Sequence, residues 1–309
     1  METKNALELA EENYKEYGLY VGTGRSFPHV IDGMKTVYKR IIYSMAKNSG
    51  RSMQKVVTLA GPALELHPHP ESVPGAIVSL GDRGNKLKLM DTKGQWGDSS
   101  KGVGAAAVRY IDGRLSDLAI KLFCESYEYC PMIEGELPNK FEPMALPAML
   151  PLCFINGTQG ISSGLSAVNI PTLDIIGMID YYIDILKHKD LDYHPKHYPN
   201  PNFGVNVVSS KEDWENLLKN GKGTVRTAPT LEWEDASKRK IKITALPESK
   251  TFEHVRKILE KDIMLDKIDV NDETVSETLI TIEKVPKKWV DLEEIYQRLE
   301  QKLQSSTSY

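Results

Sequence analysis

Apolar residues Met34, Val37, Tyr38, Ile41, Ile42 and Met45 recur at the spacing of one buried helical face. The pattern predicts a helix beginning at Met34. It leaves Lys35, Lys39, Arg40 and Lys47 largely outside the apolar stripe, so the helix can pack and still offer cations. The same reading predicts helices over residues 3–19, near Gln54–Leu64, and from Glu71 to Leu80 with Pro74 confined to the first turn. Leu115, Leu118, Ala119 and Leu122 give a further helical face. The run His67-Pro68-His69-Pro70 cannot be helix interior, because its prolines interrupt it. Residues 81–104, rich in Gly, Asp, Lys and Ser, read as turns and a short hairpin or wing. Helices followed by such a hairpin suggest a winged-helix arrangement.

Farther along, Pro131–Pro171 is punctuated by proline and glycine between short apolar runs, which predicts an irregular β-rich platform. Ile175–Leu186 has helical spacing. His194–Phe203 contains three prolines and is the best domain boundary that composition offers. Thr224–Glu234 and Lys240–Pro247 read as strands, the second alternating Ile241, Ile243 and Ala245 with Lys240, Lys242 and Thr244. Helices follow at Thr251–Ile263 and Asp291–Leu303. The expected fold class is α+β.

Length changes this picture little: 309 residues fit two packed units at about 100–200 residues each. A hydrophobic share of 40% and a charged share of 27% exclude disordered and fibrous classes. The longest apolar stretch, Met144–Ile155, carries two prolines and falls short of the roughly 20 residues a membrane span needs. The acidic, amphipathic N-terminus has no signal-peptide pattern. Cys124, Cys130 and Cys153 lack any CxxC spacing and read as reduced thiols of an intracellular protein. Charge changes more. The net −4 hides residues 25–114, where 14 Lys and Arg face seven Asp and Glu, a local +7 between acidic flanks. That is the pattern of a polyanion-binding face on a soluble chain.

Several chemistries are absent: no GxxxxGK[ST], no HExxH and no paired CxxC. His67 and His69 stand two apart on an extended stretch, so their imidazoles point the same way. No Cys, His or carboxylate partner stands near in sequence at zinc-ligand spacing. Hydrogen bonding to phosphate and a plain turn with satisfied histidines remain as readings of the pair. Arg109-Tyr110 is the other candidate. A tyrosine can attack phosphorus directly, but a free phenol ionises only near pH 10, so it needs a cationic neighbour or a base. An adjacent arginine supplies charge and a bidentate clamp. With 14 tyrosines in the chain, the pair alone does not single out a nucleophile.

These signals lie in a familiar order. Gly24-Arg25, DGMKTVYKRIIYSM (32–45), LELHPHPES (64–72), MDTKGQWGD (90–98), AAAVRY (105–110), LPNKFEPMALPAMLPLCFINGTQGISSGLSAVNIP (137–171) and TALPES (244–249) follow one another at family spacing. The chain resembles the breakage-reunion subunit of type IIA DNA topoisomerases, the gyrase A, topoisomerase IV A and phage equivalents. The resemblance implies a helical arm over 1–24, a winged-helix DNA-cleavage domain over 25–130, and a mixed α/β tower domain over 131–309, truncated before a coiled coil and C-terminal dimer gate. It implies Tyr110 as the nucleophile of a 5′-phosphotyrosyl link, with Arg109 stabilising the phosphate. Arg25, Lys35, Arg40, His67 and His69 match positions that hold strand phosphates or assist the site. Ile161 matches a wedge that intercalates and bends the duplex, and Ser72 and Ala76 fall at quinolone-contact positions.

The resemblance further implies a DNA-cleaving and religating subunit of an ATP-dependent enzyme acting on double-stranded DNA. It would have no metal site of its own. A B-type subunit would bring Mg2+ on its Toprim domain and ATP on its ATPase domain, and two copies of each chain would form a heterotetramer. The setting would be cytoplasmic, in a bacterial cytosol or nucleoid or in the host of a phage, with no membrane. A catalytically silent, DNA-bending winged-helix module is the alternative. Departures from the family pattern are Thr36 for proline, Tyr38 for histidine, Pro70-Glu71 for Gly-Asp, Ala76 for an acidic residue and Trp96 for phenylalanine. The Ala76 change bears on quinolone contact, and none removes Tyr110 or Arg109.

Overall fold

A computed structural model of the chain describes residues 5–48, 51–99, 103–162, 167–188, 195, 197–234, 237–247, 249–262, 268–273, 278–284 and 291–309. The chain divides into two compact units, residues 1–172 and 173–309. Both mix helices with small antiparallel sheets.

The first unit begins with α1 (Ala6–Val21), whose start is fixed by a capping box: the Asn5 side chain accepts from Leu7 N, and Glu8 accepts from Asn5 N. The helix runs without a break into a π-helical turn, Gly22–Ser26. Residue 24, the expected end of the arm, thus lies inside continuous helix. Next come α2 (Thr36–Lys47), β1 (Gln54–Lys55), α3 (Val56–Leu64), α4 (Ser72–Leu80), β2 (Met90–Lys93), β3 (Asp112–Leu115) and α5 (Asp117–Phe123). The platform follows as β4 (Met132–Glu134), β5 (Phe141–Pro143), α6 (Leu152–Asn156), β6 (Thr158–Gly160) and β7 (Val168–Ile170). β4 pairs with β5 and β6 with β7.

Helix α2 buries Ile41, Ile42 and Met45 as its spacing predicts; it starts at Thr36 rather than Met34, which is buried just ahead of it. Two of its cations do not stay outside. Lys39 and Arg40 are each only 5% exposed, which overturns the expectation that they lie on the open face. The cause is β5: Glu142, itself 2% exposed, ion-pairs with both, and a buried charge is tolerated when it is paired. The same contact holds residues beyond 130 in the first unit, so the domain boundary expected at 130 falls within a compact body. The proline-rich run at 194–203 lies inside the second unit, with residues 194 and 196 outside the described set.

Within 81–104 a short turn closes as an antiparallel bridge in which Asp98 and Val103 exchange backbone hydrogen bonds, while the longer pairing reaches outside the segment. β2 pairs with β3, in a three-stranded sheet ordered β1-β3-β2. Trp96 locks the intervening turns onto this sheet. Its ring is fully buried, and its Nε1 donates to the carbonyls of Lys93 and Asp112. α5 turns differently from its predicted face, burying Ala119 and Phe123 and leaving Leu118 45% exposed.

The second unit holds α7 (Ile175–His188), β8 (Asn206–Val207), α8 (Lys211–Asn220), β9 (Thr224–Ala228), β10 (Thr230–Trp233), β11 (Lys240–Ala245), α9 (Phe252–Asp262), β12 (Ile268–Asp272), β13 (Ile280–Lys284), α10 (Leu292–Lys302) and β14 (Ser305–Ser308). The sheet β10-β11-β13-β12 packs Ile241, Ile243, Ile280 and Ile282 against Val255, Leu259, Ile295 and Leu299. The single strand expected over 224–234 is broken at Pro229, which offers no N–H to a ladder; β9 joins the other sheet, β14-β9-β8. Among the described residues no helix is long and apolar enough to cross a membrane.

Candidate functional site

Local sequence sets out a concave face on the first unit. Asp32 is fully buried and accepts from the backbone N–H groups of Met34 and Leu146, which fixes the entry to α2. Gly33 stands beside it at φ +66°, with the Pro151–Leu152 backbone against its α-carbon, a position that excludes a side chain twice over. Lys35, at the N-cap of α2, donates its Nζ to the carbonyl of Gln159. Ser26 Oγ donates to the carbonyl of Ile161. Gly160 lies so close to Ser26 that a Cβ there would fall on the Ser26 carbonyl oxygen.

A cavity of about 610 Å³ opens on this face, lined by Arg25, Lys35, Tyr38, His67, His69, Ser72 and Ala76 among others. The π-helical turn contributes Arg25, α2 contributes Lys35 and Tyr38, and the proline-interrupted loop contributes both histidines. Ser72 and Ala76 lie one turn apart on α4 and face the same space, with Ser72 Oγ donating to the His69 carbonyl. Arg25, Lys35, His67, His69, Ser72 and Ala76, all expected here by resemblance, therefore meet around one opening.

Arg40 is the exception in its role. Its donors are all directed at protein groups: Nε and Nη2 to Glu142 at 2.6 and 3.1 Å, and Nη1 to Glu136 at 2.6 Å and to His67 Nδ1 at 2.8 Å. A guanidinium can only donate, so His67 Nδ1 accepts and its proton sits on Nε2. Burial, helped by the Arg40 charge, pushes His67 down to about 4, which keeps the ring neutral at pH 7. Arg25 Nη2 lies 3.2 Å from His69 Nε2, and the two imidazoles meet edge-on with centroids 4.6 Å apart.

Glu136 and Glu142 are the residues sequence reading missed. Glu142 sits inside a quoted block, yet nothing local says that it faces Lys39 and Arg40. Glu136 comes within 3.8 Å of His67 Nδ1 and 3.5 Å of His69 Nε2. These three form the one cluster of metal-ligating side chains among the described residues. The donor set does not suit Mg2+, which wants an octahedron of oxygens, and the lone pairs a softer ion would use already face Arg40 and Arg25.

Arg109 and Tyr110 do not line the cavity. They lie in a turn ahead of β3, anchored by the fully buried Ile111, whose carbonyl accepts from Val56 N. Tyr110 is 64% exposed, and the Arg109 guanidinium lies over its ring, 4.7 Å from the centroid. Lys55 Nζ approaches the Tyr110 carbonyl at 3.5 Å while pairing with Asp112. Ile161 is 81% exposed, an apolar side chain standing free above the platform. The cysteines are free thiols; burial holds Cys124 at about 11 and Cys153 at about 12, so neither competes as a nucleophile.

The family model for the A-type subunit of DNA gyrase/topoisomerase IV matches residues 25–309. The chain belongs to this family. The A-type subunit of DNA topoisomerase 4 from Pseudomonas aeruginosa is 28% identical over 328 aligned positions, covering all of this chain and 43% of the relative. Its counterpart from Neisseria gonorrhoeae is 32% identical over 254 positions, 77% of this chain and 32% of the relative. The A-type subunit of DNA gyrase from Buchnera aphidicola is 29% identical over 277 positions, 85% of this chain and 32% of the relative. The chain spans less than half the length of these curated relatives. Its indole at position 96 is accommodated because the extra N–H finds two carbonyls.

Proposed function

We propose that this chain is the DNA-cleaving and religating part of a type IIA topoisomerase. The observation that carries the reading is Tyr110, exposed at a strand entry with the Arg109 guanidinium against its ring. The phenolic oxygen attacks a backbone phosphorus, the bond to the 3′-oxygen breaks, and that oxygen leaves as a hydroxyl after taking up a proton. The enzyme is left joined to the 5′ end, and the ester keeps the bond energy for the reverse reaction. Two copies, each acting on one strand, open a duplex for passage of another. Arg109 offsets the charge that builds on the five-coordinate phosphorus. Arg25, Lys35 and His69 hold neighbouring phosphates, while Arg40 acts through His67 by fixing its tautomer.

The helices α2–α4 with the sheet β1-β3-β2 support a winged-helix reading of the first unit, and the α+β second unit supports a tower. Exposed Ile161 supports the wedge role, in which unstacking a base step costs a few kcal/mol and is repaid by wrapped surface. Divalent metal chemistry and ATP hydrolysis belong, on this reading, to a separate acidic partner. Ser72 and Ala76 line the space where a planar intercalating inhibitor would lie.

The test is covalent capture. The chain is mixed with labelled duplex, Mg2+ and the partner subunit, then denatured. Protein-linked label with the native chain and none with Tyr110→Phe is the expected result. Adducts that survive Tyr110→Phe sink the assignment. A DNA-bending module without chemistry, which Ile161 alone also supports, gives bending but no adduct with either chain.

A further inference from the structure

Two carboxylates approach Arg40, and they differ in kind. Glu142 is 2% exposed and takes up Nε, Nη2 and the Lys39 ammonium. That fork holds Arg40 without further help. Glu136 is 26% exposed and sits on the loop joining β4 to β5, directly after Gly135. Its Oε1 accepts from the remaining Arg40 nitrogen, and its Oε2 lies 3.5 Å from His69 Nε2, the nitrogen that Arg25 also approaches. Burial alone would raise its pKa, but the Arg40 hydrogen bond and the surrounding charges outweigh this and keep it below the usual carboxylate range. An anion thus sits among Arg40, His67, His69 and Arg25, beside the cavity that Arg25, His67 and His69 line.

We infer that Glu136 is an internal stand-in for a DNA phosphate: its carboxylate takes the Arg40 Nη1 donor beside the histidine pair, and a backbone phosphate seats there only by displacing it. The inference rests on the nucleic-acid reading above. A carboxylate and a phosphodiester both offer an anionic oxygen to the same Arg40 donor, so the exchange is one anion for another. Such an exchange keeps the cationic cluster ordered, and it lowers the affinity for each duplex so that DNA is released readily. Glu142 stays in place throughout and keeps Arg40 from following the departing side chain.

The full 309-residue chain is titrated with a short blunt duplex by fluorescence anisotropy across a salt series, as native protein, Glu136→Gln and Glu136→Ala, with thermal melting to verify the fold. Both variants are expected to bind about tenfold more tightly at low salt, because a like charge is removed from the phosphate's place. Their log–log salt slope steepens by about 0.9, the contribution of one more neutralised phosphate. Native protein that binds while the folded variants bind equally or more weakly, with an unchanged slope, overturns the stand-in role and leaves the nucleic-acid reading intact. A native chain that fails to bind duplex at low salt overturns that reading and the stand-in role together.

Discussion

Arg40 and Glu142, 102 positions apart in the chain, meet at 2.6 Å with both side chains almost closed to water. Lys39 adds a second cation to the same carboxylate. Removing one member of a buried set leaves the other charges uncompensated, at a cost of about 3–5 kcal/mol. Glu142→Ala is therefore expected to lower the unfolding free energy by that amount in urea melts. Glu136→Ala, at the rim, should cost under about 1 kcal/mol. Equal losses in the two variants would contradict the division of labour between them.

Arg109 and Tyr110 are both exposed, so changing them should leave the fold alone. Arg109→Ala is expected to slow covalent adduct formation by about 10²–10³, the usual cost of one preorganised charge partner. Duplex affinity should hold nearly constant. Single-turnover cleavage beside equilibrium binding separates the two effects.

The cation cluster makes different demands on its members. Arg25→Gln should make the log–log salt dependence of duplex binding shallower by about 0.9. His67→Gln should leave that slope as it is, because an imidazole titrating at about 4 carries no charge at neutral pH. A shallower slope in the His67 variant would mean that the ring is cationic when DNA is bound.

His67 also ties stability to acidity. Its folded value of about 4 lies below the ordinary 6.5, so between those values the unfolded chain binds a proton that the folded chain refuses. The associated stability is complete above about pH 6.5, declines as pH falls, and levels off below about 4. One proton gives a slope of at most about 1.4 kcal/mol per pH unit. Chemical melts of His67→Gln across this window should show an acid slope reduced by up to that amount.

On the proposed function, Ile161 offers a separate handle on DNA shape. As an exposed side chain it contributes little to the fold, and Ile161→Ala should shift unfolding by less than about 0.5 kcal/mol. End-to-end energy transfer on a doubly labelled duplex should report a smaller bend with the variant. An unchanged bend would remove the wedge from the proposed function.

What the sequence made legible was whatever depends on near neighbours. The apolar spacing from Met34 to Met45 placed α2 to within two residues of its start, and the prolines up to Pro70 and the Gly-rich segment from 81 bracketed α4, with Pro74 in its first turn. The cluster of Arg25, Lys35, His67 and His69 was reachable only because their blocks resemble a family in order and spacing. The fate of Lys39 and Arg40 was not reachable, since helical spacing distinguishes apolar from polar faces but says nothing about a carboxylate on a distant hairpin. Glu136 left still less trace, 96 positions from the arginine it bonds. Likewise, the 81–104 segment displayed its turns but hid that β2 would find its partner in β3. Long-range pairing is settled by burial of the sheet, with Trp96 as its plug.

The close approach at Gly160 carries a mechanical consequence. Because no side chain intervenes, Gly160, at the end of β6 and just before Ile161, rests directly on the backbone of Ser26, the residue after Arg25. On the proposed function, the wedge at Ile161 and the phosphate grip at Arg25 are then set to a common gauge, like two jaws cut from one block. Even an alanine at 160 would drive backbone from backbone and alter the distance along the duplex between where it is held and where it is bent.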